Sequence, residues 1–335
     1  ISFAPLSMIL FFLLALGVTE KSGFLKSIIL KTTKKFDKKT ITFLLFFFGI
    51  ILNILNESAY IVLIPIGALV FLFNGRNPIA GIITSFAAVA FGFSINIFIT
   101  AMDISLIHYT NMAARIIDPM YQVNLASNLF IMILAVPMLA WIGTIITEKI
   151  TVKKLGKYPI EEENEEKDIE NKRRGYIFAF LAFVASILVI SYMIIPELPY
   201  SGILLDNSKA GYLNKLFSAN AYFQDAIPFL ISFLFLITGI FYGVGVKTFK
   251  NDKDIVAAMG SYTKILGGLI AMLFFASQFI SYFRETNLGT IIAAWGAELI
   301  KMSNFSGIPL IILTLVVIAI INIFLTSPTT KWSII

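Results

Sequence analysis

Long apolar runs separated by short polar turns set the pattern of this chain, at about 3–16, 41–73, 79–101, 126–146, 176–195, 226–246, 263–283 and 306–326. Most approach or exceed the ~20 residues a helix needs to cross hydrocarbon. None shows the short alternating segments of a membrane β-barrel. The pattern therefore predicts an all-α polytopic integral membrane protein. One run, 41–73, is longer than a single span and is interrupted by Asn53-Ile54-Leu55-Asn56-Glu57-Ser58-Ala59-Tyr60. A lone charge at bilayer depth costs about 2.5–3.5 kcal/mol on insertion scales, so such a residue usually faces a cavity, a partner or an ion. The run is predicted to be a broken transmembrane helix. Residues 4–30 read as an apolar limb, a polar tip (Gly17-Val18-Thr19-Glu20-Lys21-Ser22-Gly23) and an amphipathic limb. Two glycines around a hydroxyl and a carboxylate suit a re-entrant hairpin whose turn approaches a ligand. The plainer alternative is an ordinary loop with Glu20 and Lys21 solvated.

The second half repeats this order. Residues 263–283 are apolar, Arg284 to Gly289 form a polar tip, and Thr290 to Met302 are amphipathic, giving a hairpin at about 263–300. An apolar helix interrupted by Asn322 and by Thr326 to Trp332 follows over 306–335. The expected organisation is a first transmembrane repeat at 1–146, a hydrophilic charged loop at 147–175 holding the acidic run Glu161 to Asp168, and a second repeat at 176–335. The match between halves is one of pattern, not residue identity. Interrupted segments at corresponding positions of two halves point to a secondary transporter's binding site.

Composition narrows the chemistry. The 335 residues are 58% hydrophobic and 14% charged, against about a quarter charged in soluble domains. There is no cysteine, which excludes disulfides, thiolate metal sites and cysteine nucleophiles. The single histidine, His108 in a mixed interfacial stretch, is a poor basis for a metal site or proton relay. Acid–base candidates reduce to Glu20, Glu57, Asp103 and Glu285, so an enzyme is not expected; Asp103 reads as an interfacial carboxylate or a second coupling group. The net charge of +6 is concentrated in Lys31 to Lys39 and Lys149 to Lys157. These clusters flank membrane segments and read as cytoplasmic loops; without a soluble module they do not suggest nucleic acid. Residues 1–16 lack a basic n-region and a cleavage site. The chain opens at Ile1 and closes within a polar break, so it is expected to be truncated at both ends.

An interrupted helix frees backbone carbonyls and amides that need partners. Carbonyl, amide and hydroxyl oxygens suit a hard cation such as Na⁺, and freed N–H groups at a half-helix start suit an anion. Asn53, Asn56, Glu57 and Ser58 offer oxygens in the first half; Asn322, Ser327, Thr329 and Thr330 offer them in the second. Pro328 keeps its segment unwound. Lys331 can pair with Glu57 or a substrate carboxylate, and Trp332 can stack on an aromatic ring with its N–H still available. For any one hydroxyl, a plain helix–helix hydrogen bond is the competing reading. The expected ion-binding set is Glu20, Ser22, Asn53, Asn56, Asn322 and Ser327. The expected substrate-binding set is Asn53, Glu57, Ser58, Asn287, Thr329, Lys331 and Trp332. No cofactor or metal is expected beyond a coupling ion, Na⁺ or H⁺.

Several stretches, in order along almost the whole chain, resemble the p-aminobenzoyl-glutamate transporter (AbgT) family. They are Phe3-Ala4-Pro5-Leu6 with Gly17 to Gly23; Asn53 to Tyr60 with Leu63-Ile64-Pro65-Ile66-Gly67; Gly75-Arg76-Asn77-Pro78-Ile79-Ala80-Gly81; Gly92-Phe93-Ser94-Ile95-Asn96; Gly239-Ile240-Phe241-Tyr242-Gly243; Ser277-Gln278-Phe279 with Asn287-Leu288-Gly289; and Lys331-Trp332. The resemblance implies two structural repeats, each with a re-entrant helical hairpin and a broken transmembrane helix. It implies a homodimer, multi-pass in a bacterial inner membrane, that uses an ion gradient to move p-aminobenzoyl-glutamate or sulfonamide-like drugs. Glu57 stands where the family has an aspartate. Ser327-Pro328-Thr329-Thr330-Lys331-Trp332 stands where it has Ser-Ala-Ser-Ala-Lys-Trp. Transport of another small carboxylate and a non-functional fragment are the alternatives.

Overall fold

The structure, a computed structural model, describes residues 4–55, 58–156, 158–159, 169–208, 210–217, 221–303, 305–324 and 332. Every regular element among them is helical. The helices are α1 (Ala4–Lys21), α2 (Phe24–Thr33), α3 (Lys38–Leu52), α4 (Ser58–Phe73), α5 (Pro78–Gly92), α6 (Ala101–Ile117), α7 (Leu129–Ile146), α8 (Val152–Leu155), α9 (Ile169–Ile194), α10 (Tyr212–Phe217), α11 (Tyr222–Val246), α12 (Asp252–Gly260), α13 (Thr263–Glu285), α14 (Leu288–Met302) and α15 (Ile308–Phe324). A 3₁₀ turn, Asn53–Leu55, follows α3, and a π turn, Thr147–Thr151, joins α7 to α8. Among the described residues, four stretches are long and apolar enough to cross a membrane: Lys38–Leu55, Leu129–Leu155, Lys172–Ile194 and Asp225–Val246.

The chain packs as two compact units, Ile1–Ile95 with Leu134–Leu269, and Asn96–Ile133 with Ile270–Ile335. Packing thus groups the helices differently from the sequence halves. In the first unit, Phe12, Leu16, Leu25, Ile29, Val62 and Leu69 join α1, α2 and α4 in one apolar core. Lipid supplies no hydrophobic drive between helices, so close approach of small residues has to hold them together. Gly67 and Gly81 do this for α4 and α5: a Cβ on Gly81 would stand 2.2 Å from Gly67 O. Gly245 and Gly175 do it for α11 and α9, where a Cβ on Gly245 would stand 2.7 Å from Gly175 Cα. In the second unit, α14 and α15 pack through Ile292, Ile300 and Val317.

The run 41–73 departs from expectation. It is not one helix broken in mid-span but two limbs that reverse. Arg76, just past α4, bonds back to Lys38 O at the start of α3 (3.1 Å), and a Cβ on Gly49 would meet Leu63 of α4 at 2.7 Å. Helix α4 therefore runs antiparallel to α3, with the polar stretch as its tip. The reason is length: about 33 residues serve equally for one interrupted span or for two short limbs, and composition alone does not choose. The stretch expected to be a re-entrant hairpin at about 4–30 is a pair of helices bent at a short break, a geometry that a broken span and a re-entrant loop share. Helix α1 runs straight through Gly17 to Lys21, then turns through 73° into α2. Gly17 is helical because it packs on α12, where a Cβ would come 2.6 Å from Ala258 O. Helix α5 ends at Gly92, short of the expected 101, and the next helix starts only at Ala101. The start of the 147–175 loop is helical, as the π turn and α8; residues 157 and 160–168, with the whole acidic run, lie outside the described residues.

Candidate functional site

The polar tip between α3 and α4 is set by its neighbours on α5. Asn53 is buried, and its Nδ2 donates to Val89 O at 3.1 Å. Gly92 makes room for it: a Cβ there would stand 2.4 Å from Asn53 Cβ. Ser58, half-buried, opens α4. Asn56 and Glu57, between them, lie outside the described residues. Tyr60 stacks near Phe86 and Phe93, with ring centroids 5.2 and 6.0 Å away. The tip thus offers amide and hydroxyl groups in an otherwise aromatic and small-residue setting.

At the α1–α2 bend the predicted ion-binding residues already have protein partners. Ser22, buried, donates to Thr19 O (2.8 Å) and accepts from Phe24 N (3.2 Å). The carboxylate of Glu20 accepts from the Tyr262 hydroxyl at 2.7 Å. Burial, then the hydrogen bond to Glu20 and its charge, push the Tyr262 phenol well above the ordinary tyrosine range, so it stays a donor. Thr19 Oγ1 lies 2.7 Å from Ala15 O and 2.8 Å from Phe235 O of α11. The partner of Asn53, Val89 O, is a different one.

In the second unit, α13 and α14 are separated by Thr286 and Asn287 alone, with Asn287 left-handed at φ 51°. Asn287 is exposed. The indole N–H of Trp332, expected to be available, donates to Thr110 Oγ1 of α6 at 2.9 Å. Asn322 lies inside α15 rather than in a break; its side chain, like Ser327, Thr329, Thr330 and Lys331, is outside the described residues. Asp103 accepts from Thr100 N and Oγ1, both at 2.7 Å, and so closes a capping box at the start of α6.

A buried ion pair escaped the sequence reading. Arg76 Nη2 donates to Glu148 Oε1 at 2.5 Å. Its Nη1 donates to Thr42 Oγ1 at 2.8 Å, and Thr42 donates to the same Glu148 oxygen at 2.6 Å. The guanidinium also lies over the Phe71 ring, 4.1 Å from its centroid. Asn77 caps α5 through Ile79 N (3.0 Å) and reaches Leu155 O (3.2 Å). These contacts place the starts of α3 and α5 beside the end of α7. Both lysine clusters flanking them therefore fall at one end of the unit. No signal in the sequence paired Arg76 with a carboxylate 72 residues away.

The chain is similar to the Escherichia coli (strain K12) p-aminobenzoyl-glutamate transport protein, with 28% identity over 333 residues. That match covers 99% of this chain and 64% of the relative, so the chain spans less than two thirds of its length. It is also similar to the crystal structure of the Alcanivorax borkumensis YdaH transporter, at 28% identity and a TM-score of 0.50, covering 99% of this chain and 68% of the other. Residues 1–335 match the model of the AbgT putative transporter family, and with the tip, the bent pair and the all-helical architecture in place, the chain belongs to that family.

Proposed function

We propose that this chain is the membrane core of a secondary active transporter that carries p-aminobenzoyl-glutamate or a related aromatic carboxylate, sulfonamide-like drugs included, by alternating access. The observation that carries the reading is the tip between α3 and α4. A buried amide and a half-buried hydroxyl flank the sequence Asn56-Glu57 between two apolar limbs, and a carboxylate within such an apolar run faces a ligand, an ion or a partner. The name of the Escherichia coli relative supports the substrate class. Glu57 with Asn53 and Ser58 forms the first-half contribution; Asn287, Thr329, Lys331 and Trp332 form the second. The coupling ion is Na⁺ or H⁺, and an inward cation supplies about 2.3 kcal/mol per 100 mV. The working unit is a homodimer.

The test is flux of radiolabelled p-aminobenzoyl-glutamate into vesicles holding the full-length protein under an imposed Na⁺ or pH gradient. One gradient is expected to drive uptake, and Glu57→Ala to lower it at least tenfold. Absence of flux under either gradient overturns the coupled-transport reading, and unchanged flux in Glu57→Ala removes the tip carboxylate from it.

A further inference from the structure

The α2–α9 face carries a second, differently built site. Lys31, in the last turn of α2, and Lys172 and Arg173, near the start of α9, line a cleft of about 650 Å³ with Tyr176, Phe180 and Leu181. Among the described residues lining it three are cations and none is acidic. Lys31 is exposed. Its Nζ lies 4.7 Å from the centroid of the Tyr176 ring, a cation–π contact. Tyr176 is itself fixed: its hydroxyl is 2.6 Å from Ser27 Oγ, and its ring stands edge-on to buried Tyr242 at 5.5 Å. Leu181 also lines the next groove, about 460 Å³, where Ala185, Ser186, Val189 and Phe233 make an almost wholly apolar channel between α9 and α11. The cationic end coincides with the start of the Lys172–Ile194 span and the end of the bent α1–α2 pair, at the membrane boundary.

A cluster of three cations beside an apolar channel has the polarity sequence of a phospholipid. We propose that the cleft binds the phosphodiester headgroup of an anionic phospholipid, with one acyl chain laid past Leu181 into the α9–α11 groove. Basic pockets between membrane helices recognise anionic headgroups by this charge complementarity. Aliphatic stems of Lys31 and Lys172 cover the chain's first carbons while their ammonium groups reach the phosphate.

Native mass spectrometry of the detergent-purified full chain tests this, with phosphatidylglycerol, phosphatidylcholine and inorganic phosphate as probes. Phosphatidylglycerol is expected to be retained at least tenfold more than phosphatidylcholine. Millimolar inorganic phosphate is expected not to displace it; equal displacement would mean a soluble-anion site and overturn the lipid assignment. Lys31→Gln with Lys172→Gln is expected to cut retention at least tenfold. Lys34→Gln with Lys35→Gln removes the same charge from the neighbouring loop and is expected to change retention less than twofold. Equal losses in the two pairs reduce the effect to general surface charge and overturn the site. Ala185→Trp fills the groove and is expected to weaken phosphatidylglycerol more than its one-chain lyso form; equal weakening overturns the placement of the chain. Should the cleft pair fail to fold, Ala185→Trp and Lys31→Gln alone give the same readings.

Discussion

At the scale of single residues, Arg76 makes the most demanding set of contacts among the described residues. Its guanidinium is almost fully buried and serves Lys38 O, Thr42 Oγ1 and Glu148 Oε1 at once. Removing one member of a buried pair leaves the other charge without compensation, at about 3–5 kcal/mol. Arg76→Ala is therefore expected to lower stability by roughly 3 kcal/mol, seen as a fall in detergent melting temperature. Arg76→Lys is expected to recover little of it, since a single ammonium does not reproduce a planar fork that reaches three acceptors. A melting temperature unchanged in Arg76→Ala would show that the pair contributes nothing net. Asp37 is a milder case. The Thr40 hydroxyl, with nearby backbone amides, holds its exposed carboxyl below the ordinary aspartate value. Its cap on α3 is thus complete above that value and fades as pH falls through the lowered one.

At the scale of elements, two breaks share one local geometry. Ser22 N bonds Val18 O and Ser27 N bonds Gly23 O; Thr286 N bonds Tyr282 O and Ile291 N bonds Asn287 O. Each second helix is entered from a left-handed residue, Gly23 at φ 81° or Asn287 at φ 51°. Left-handed backbone costs a residue with a Cβ about 1–2 kcal/mol. Gly23→Ala is expected to destabilise by about 1 kcal/mol and Asn287→Gly to be neutral or stabilising. Thermal unfolding of the two variants checks this, and a stabilised Gly23→Ala would mean the bend does not hold its conformation. This correspondence was partly legible in sequence. The polar tips marked where α1 and α13 end, because glycine, asparagine and hydroxyl residues interrupt apolar runs for a local reason. Distant pairings were not legible. Tyr262 lies 242 residues from Glu20, and Thr110 lies 222 from Trp332; no local pattern announces either. Gly17 misled for a related reason: it is small for the sake of α12, not for a turn. The direction of α4 depended on Arg76, which reads in sequence only as part of a Gly-Arg-Asn-Pro turn.

At the scale of the whole molecule, the absence of cysteine makes introduced thiols unambiguous reporters of sidedness. Lys34 and Lys154 are both exposed, and the Arg76 contacts put their segments at one end of the first unit. Lys34→Cys and Lys154→Cys, made singly, are expected to react with an impermeant maleimide from the same side, the cytoplasmic one. Labelling from opposite sides would mean an odd number of crossings between them and a different path for α3 to α7.

One last consequence comes from how α5 is seated. It meets α4 through Gly67 and Gly81, and it meets α3 through Gly49 against Ala88 and Asn53 against Gly92. At one extremity the three rods are pinned by Arg76; at the other they carry Asn53. With 15 residues in α3, the arm between pin and tip is about 22 Å. A tilt of roughly 10° about the pin therefore swings Asn53 through about 4 Å. Glycine contacts that weld the rods would turn a small adjustment near Glu148 into a displacement the width of an ion at the far end, without any rod having to bend.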